Sequence, residues 1–291
     1  MTEGNRLLFI DFIRIVAILL VIIQHMTTPQ LFQNLNSIYF IYNPLPPFIW
    51  LDYGTIGVIL FIFTSGLSLG VSGYSFENLR SVLDFLKRRL FRIYPIYWVA
   101  ILFSLVLFNY YIPTLQPMDY VNTVFGIQAF FQTTMERIWA INGTFWFVGV
   151  IVCLYFMFPL ISIAMKRHRN LTLIFAFFVS IASRTIMYYV FPQFISGWDW
   201  FPLCHLSEFV LGIYITQTHS YPQFKSNKPI IFLANLSFYV YLVHFPILFS
   251  TNYEGVGIVL FIVSTIVFSL MFYSFDKAIQ DSFRTWRKLV F

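Results

Sequence analysis

Charge is scarce in this chain: 10% of its 291 residues are Asp, Glu, Lys or Arg, against 59% hydrophobic and 21% aromatic. With a mean hydropathy of +0.75, that balance excludes a soluble domain and describes a polytopic membrane protein. Cysteine is limited to Cys153 and Cys204, both inside apolar runs, so neither a disulfide framework nor a zinc site is indicated. No P-loop, EF-hand, HExxH or dinucleotide-binding glycine pattern occurs, and no metal is expected. The first hydrophobic run carries charge and ends without a small-residue cleavage site, which argues against a cleaved signal peptide. A net charge of +6 would suggest nucleic acid in a soluble protein. Here the placement of that charge along the loops carries the information, and no nucleic acid is expected.

What is present begins with the run Leu7 to Met26, long enough to span a ~30 Å bilayer core as a helix. It contains Asp11, Arg14 and His25. Charges at membrane depth cost ~3 kcal/mol each, so they are expected to face a protein interior or an aqueous cavity. Asp11 and Arg14 are three apart and can pair on one face. From Arg14 to His25 is eleven residues, almost three whole turns, which puts both on one stripe about 16 Å apart. The alternative is that Asp11 and Arg14 neutralise each other and His25 is an interfacial residue.

Further runs follow at Ile56 to Val71, Ile93 to Tyr110, Thr144 to Met165, Leu171 to Val190, Phe201 to Thr218, Ile230 to Ser250 and Gly255 to Phe275. The first two runs are separated by a turn-rich segment, Thr27 to Leu51, whose Tyr39, Tyr42 and Trp50 suit a membrane interface. Gly57, Gly66, Gly70 and Ser65 thread the second run and permit close helix approach. Pro95 falls near the start of the third, where its missing N–H is tolerated. Between Ile112 and Asn142 a half-polar segment, apolar from Val121 to Phe131, is short for a span and reads as re-entrant or interfacial. The expected architecture is an all-α transmembrane bundle forming a single membrane-embedded domain over residues 1–291, with no appended soluble domain. It has eight spans, or ten if two crossings occur in 112–142.

Placing both termini on the cytoplasmic side puts fifteen of the eighteen basic residues there, with Arg137 outside and Arg14 and Arg184 within spans. In that frame His25, His244, Arg184, His205, Glu208, Asn142 and Trp146 sit in the outer half. Asp11, Arg14 and the basic run up to Arg92 sit in the inner half. Two polar regions, one facing each side, suggest a substrate passing or meeting across the membrane.

His25 and His244 are candidate general bases, since imidazole titrates near neutral pH. A helix-packing hydrogen bond is the other reading of His244. Arg88, Arg89 and Arg92 in FLKRRLFRIYPIYW can bind a polyanion through guanidinium forks. They equally suit a positive-inside signal touching anionic lipid. Arg184 and Glu208 can form a buried ion pair, and the Phe and Tyr stripe suits lipid contact and core packing.

These motifs together resemble the acyltransferase family 3 of integral membrane O-acyltransferases, over nearly the whole chain. IDFIRIVAILLVIIQH resembles the family's first helix, through Arg14 and His25. YGTIGVILFIFTSGLSLG resembles its second, through Gly57, Ser65 and Gly66, and FLKRRLFRIYPIYW its RxxR-I-x-P motif, through Arg89, Arg92 and Pro95. TFWFVGVIVCLYFMFPLI matches a W…Y…P helix through Trp146, Tyr155 and Pro159. LANLSFYVYLVHFPIL matches a late helix through Ser237, Tyr241, His244 and Pro246. The chain departs from the family in having no acid in the stretch after Trp146, where Phe147 to Ile151 is apolar.

The resemblance implies transfer of an acyl group, commonly acetyl from cytoplasmic acetyl-CoA, to a hydroxyl of an extracytoplasmic cell-envelope carbohydrate. It implies His25 as catalytic base and Arg14, Arg89 and Arg92 as partners in donor binding or site organisation, and Asp11 is a further catalytic candidate on the same helix. Arg89, Arg92, Arg88 and Ser65 are expected towards the donor. His244, Trp146, Glu208 and Tyr241 are expected towards the acceptor. The expected setting is the bacterial plasma membrane, with the lipid bilayer, the acyl-CoA donor, the carbohydrate acceptor and envelope-biosynthesis proteins as partners. The alternatives are a transporter or flippase of a glycan or lipid-linked sugar, and a catalytically inactive subunit of an envelope-polymer complex.

Overall fold

The computed structural model describes residues 8–26, 52–107, 115–131, 141–191, 200–218, 227–251 and 256–290. Every regular element among them is helical: α1 (Leu8–Met26), α2 (Tyr53–Val71), α3 (Leu79–Leu107), α4 (Pro117–Val124), α5 (Gln128–Phe131), α6 (Trp146–Val190), α7 (Leu206–Thr218), α8 (Lys228–Ser250) and α9 (Val256–Val290). Short 3₁₀ turns at Gly143–Phe145 and Pro202–His205 lead into α6 and α7. The segment 27–51 and Arg137 lie outside the described residues.

Six helices, α1, α2, α3, α6, α8 and α9, are long and apolar enough to cross a membrane. Their outward faces are apolar, as at Ile174, Phe175, Phe178 and Ile181 on α6 and Val259, Ile262, Val263 and Ile266 on α9. Surfaces of that extent are stable against lipid and not against water. The 45-residue α6 is broken at His168 (φ −143°, ψ 62°), where Lys166 to Asn170 are exposed. Its two arms occupy the fourth and fifth expected runs. The sixth run is represented by α7, whose 13 residues fall below the roughly 20 that a lone spanning helix needs.

Small residues set the closest helix contacts. α1 and α2 run antiparallel, and a Cβ on Gly57 would meet the Ala17 carbonyl at 2.6 Å. α2 and α7 touch backbone to backbone: a side chain on Gly66 would strike the Phe209 carbonyl, and one on Gly212 the Phe63 carbonyl. Such contact supplies dispersion energy where no hydrophobic force between helices operates. α8 packs against α1, α3 and α9, burying Leu242, Val243, His244 and Phe245.

Pro95 is not at a helix start. α3 begins at Leu79, and Pro95 lies inside it. An interior proline removes the N–H that would bind the carbonyl four residues earlier, here that of Phe91. The side-chain amide of Gln280 on α9 donates to that carbonyl at 3.2 Å, so the freed acceptor is satisfied by a neighbouring helix as membrane burial requires.

The described part of the half-polar segment after α3, residues 115–131, is a short helix–turn–helix made of α4 and α5. α4 has eight residues and α5 four, too few for either to cross a bilayer. The C-terminal carbonyls of α4 are held by donors from the middle of α3: Tyr97 Oη donates to Thr123 O, Trp98 Nε1 to Val124 O at 3.1 Å, and Tyr94 Oη to Phe125 O at 2.9 Å. Trp98 is about 13 Å down α3 from its end at Leu107, at 1.5 Å per residue. The chain therefore reaches mid-helix depth and turns at Gly126, whose φ of +72° is in the left-handed region that favours glycine. A Cβ on Gly149 of α6 would collide with the Gly126 carbonyl.

Candidate active site

α1 and α8 run side by side, and near the end of α1 His25 meets His244. Their rings are 5.1 Å apart and inclined by 29°, and His25 Nδ1 lies 2.9 Å from His244 Nε2. The other nitrogen of His244, Nδ1, faces the Val240 carbonyl at 3.0 Å and the Tyr241 carbonyl at 2.9 Å. Carbonyls only accept, so His244 carries its proton on Nδ1 and its Nε2 accepts. His25 must then donate through Nδ1, which makes its Nε2 the basic nitrogen. A backbone–His244–His25 relay thus sets the tautomer of His25 by the means through which an orienting group sets that of a catalytic histidine.

Tyr241 fixes the relay in place. Its hydroxyl donates to the Thr144 carbonyl at the start of α6, and its ring lies 6.3 Å from that of His244. Phe245 meets the His25 ring edge-on at 5.2 Å. Tyr241 was expected towards the acceptor; the structure gives its hydroxyl to the Thr144 carbonyl in the 3₁₀ turn before α6.

Arg14 and His25 share a helix but not a neighbour. Arg14 Nη2 donates to Ser68 Oγ of α2 at 2.8 Å, while its Nη1 lies 3.9 Å from Asp11 Oδ1, at the limit of an ion pair. Asp11 is buried and Arg14 half-buried. Ser68, one turn beyond the expected Ser65, is the hydroxyl that meets Arg14. The spacing of Ser65, Ser68 and Ser72 along one stripe was the signal available for it.

At the same basic end, Arg89 is half-buried among three rings: its guanidinium carbon is 5.7 Å from the Tyr74 centroid, 5.6 Å from Phe85 and 5.6 Å from Tyr155. Arg88 is exposed and lies 5.9 Å from Tyr74 on its own account. Arg92 is exposed too. The three arginines are therefore not equivalent, since only Arg89 is held in an aromatic cage that fixes its orientation.

Trp146 and Glu208 belong to a second cluster near the His25 end. Trp146 stacks on Trp200 at 5.4 Å and on His205 at 6.2 Å. Glu208 accepts from Arg184 Nη2 at 2.9 Å and from Ser207 Oγ at 2.7 Å, and lies 3.6 Å from His205 Nδ1. Arg184 Nε also donates to the Cys204 carbonyl at 3.1 Å. The ion pair joins the second arm of α6 to α7, and it sets Glu208 against His205, the ring on which Trp146 stacks, whereas Phe147 to Ile151 hold no acid. Among the described residues no three His, Cys, Asp or Glu side chains gather as metal ligands.

The acyltransferase-domain model of family 3 matches residues 7–231. The chain belongs to acyltransferase family 3. Comparison with curated proteins and with solved structures gave no match. The family match covers α1 through α7 and ends just inside α8, so the Arg14 and Arg89 regions, His25 and the Trp146 cluster of this membrane acyltransferase fall within it. His244 lies beyond it. The half of the relay that orients His25 is supplied by a helix whose place beside α1 is visible only in three dimensions.

Proposed function

We propose that this membrane acyltransferase moves an acyl group, acetyl in the reading that the family resemblance implies, from cytoplasmic acyl-CoA to a hydroxyl of an extracytoplasmic cell-envelope glycan or glycolipid. The observation that carries the proposal is the His25–His244 relay, with its basic nitrogen oriented by a bond to a second histidine. With both termini cytoplasmic, the two arms of α6 each crossing and α7 completing the bundle with its 3₁₀ turn, the chain has eight spans. We read the segment 112–142 as adding no crossing, which preserves the positive-inside bias. The basic end with Arg14 and Arg89 then faces the cytoplasm, and His25 lies towards the outside.

Acyl-CoA phosphates bind at the cytoplasmic face, with Arg89, Arg92 and Arg88 as guanidinium partners. Its pantetheine arm extends the thioester past Arg14 and Ser68 towards His25. The acceptor hydroxyl enters from the outer side, near Trp146. His25 Nε2 takes the hydroxyl proton as the oxygen attacks the thioester carbonyl. The tetrahedral oxyanion collapses, the C–S bond breaks, and the departing thiolate recovers the proton from His25, giving the ester and free CoA. His244 accepts from Nδ1 throughout and steadies the imidazolium. General-base assistance of this kind contributes roughly 10²–10⁴-fold.

The setting is the bacterial plasma membrane, with envelope-biosynthesis proteins as partners that deliver or receive the glycan. Inside-out membrane vesicles carrying the protein test the reaction. Supplied with acyl-labelled CoA, they are expected to build label into their glycan fraction, and vesicles without the protein are not. Equal label in both contradicts the assignment.

A further inference from the structure

The helix–turn–helix of α4 and α5 contains an anomaly. Gln128, at its turn, is 1% exposed, and among the described residues neither Nε2 nor Oε1 of its amide finds a hydrogen-bond partner. An amide buried without partners costs about 1–3 kcal/mol by mutational measures and more against hydrocarbon. Serine or threonine in a helix can lower that cost by bonding to the preceding turn; a glutamine at this turn has no such recourse. The segment cannot swing to relieve it either, because Tyr94, Tyr97 and Trp98 clamp the end of α4 and Gly126 abuts Gly149.

The location bears on what the amide meets. Phe130, two residues on, packs at 6.2 Å against Phe201, which leads into the 3₁₀ turn carrying His205, the ring on which Trp146 stacks. On the other side Tyr97, bonded to the α4 terminus, lies 5.0 Å from Phe145, the neighbour of the Thr144 carbonyl that receives Tyr241 beside His244. Through Phe130 and Tyr97, α5 and the end of α4 thus touch or adjoin residues that neighbour the aromatic cluster and the Thr144 carbonyl.

We propose that Gln128 is a specificity-determining residue that reads the acceptor: its amide donates to one hydroxyl of the sugar and accepts from another, next to the hydroxyl being acylated. The proposal rests on the acyl-transfer reading. An amide offers one donor side and one acceptor side, which matches neighbouring hydroxyls and not a hydrocarbon chain. A site built to bond such groups rejects analogues lacking them, because its own polar atoms are then left unpaired.

The test uses the full chain in nanodiscs, with acetyl-CoA as donor and two acceptor probes: methyl β-D-glucopyranoside, with several hydroxyls, and cyclohexanol, with one. Gln128→Met keeps the length of the side chain and removes the amide. It is expected to lower the ratio of kcat/KM for glucoside over cyclohexanol about tenfold, equivalent to about 1.4 kcal/mol, with the KM for acetyl-CoA within twofold and the melting temperature unchanged or raised. Gln128→Glu, which keeps the acceptor oxygen, should retain part of the preference. An unchanged ratio, or a melting temperature lowered with the ratio intact, overturns the proposal and leaves the acyl-transfer reading standing. Binding is read separately by the stabilisation that methyl glucoside confers. If wild type acylates neither probe but the glucoside protects wild type and not Gln128→Met, the acceptor subsite stands and the acyl-transfer reading falls. If the glucoside protects neither and is not acylated, both fall.

Discussion

His25 donates from Nδ1 to His244 Nε2 at 2.9 Å across 219 residues of sequence, and the Val240 and Tyr241 carbonyls fix the proton on the far side of His244. The relay makes His244 a positioning residue. Replacing it with Phe keeps a ring against His25 but removes the acceptor. The expected result is a kcat lower by roughly tenfold or more, with the KM for acyl-CoA unchanged. His244→Gln, whose amide oxygen can accept from His25, should restore part of kcat. Initial rates at varied acyl-CoA measure both, and a KM effect without a kcat effect would argue against orientation.

Arg89 and Arg88 differ in their surroundings, and the difference is measurable. Arg89 is oriented by Tyr74, Phe85 and Tyr155, and such contacts are worth about 0.5–2 kcal/mol each depending on solvation. Tyr155→Leu or Arg89→Lys is therefore expected to raise the KM for acyl-CoA about threefold to thirtyfold. Arg88→Lys, at an exposed position, should change it less than twofold. Equilibrium binding of CoA to the protein in nanodiscs gives the same comparison without turnover.

The Arg184–Glu208 pair joins the second arm of α6 to α7 at 2.9 Å, with side chains only 7% and 15% exposed. Removing one partner strands the other charge in a buried site, at a cost of about 3–5 kcal/mol. Glu208→Gln and Arg184→Met should each lower the melting temperature clearly, and the double variant should recover much of the loss. A double-mutant cycle on thermal denaturation measures the coupling, and additive losses would show that the pair does not act as a unit.

Much of this arrangement was legible in the chain. The class of fold followed from scarce charge and long apolar runs. The apolar part of 112–142 is too short for a crossing and was expected to be re-entrant or interfacial, and its described residues form two short helices. The break at Lys166–Arg169 separated the two arms of α6. What pattern could not supply was partnership between helices. The Arg14–His25 stripe pointed to one shared cavity wall, yet Arg14 turns to Ser68 on α2 and His25 to His244 on α8, because α1 is packed between two neighbours. Pro95 suggested a helix start; the amide of Gln280, on a helix far away in sequence, lets it sit in an interior. Glu208 reaches the surroundings of Trp146 through His205, a placement made by the 3₁₀ turn before α7 and not by any spacing along the chain.

The proposed acid–base role of His25 in acyl transfer is read by transfer of radiolabelled acetyl from acetyl-CoA to membrane glycan by wild type and His25→Ala at matched expression and insertion. The expected result is a fall of roughly 10²–10⁴-fold in the initial rate, with the melting temperature and CoA binding close to wild type. Transfer by His25→Ala at an undiminished rate would contradict the account.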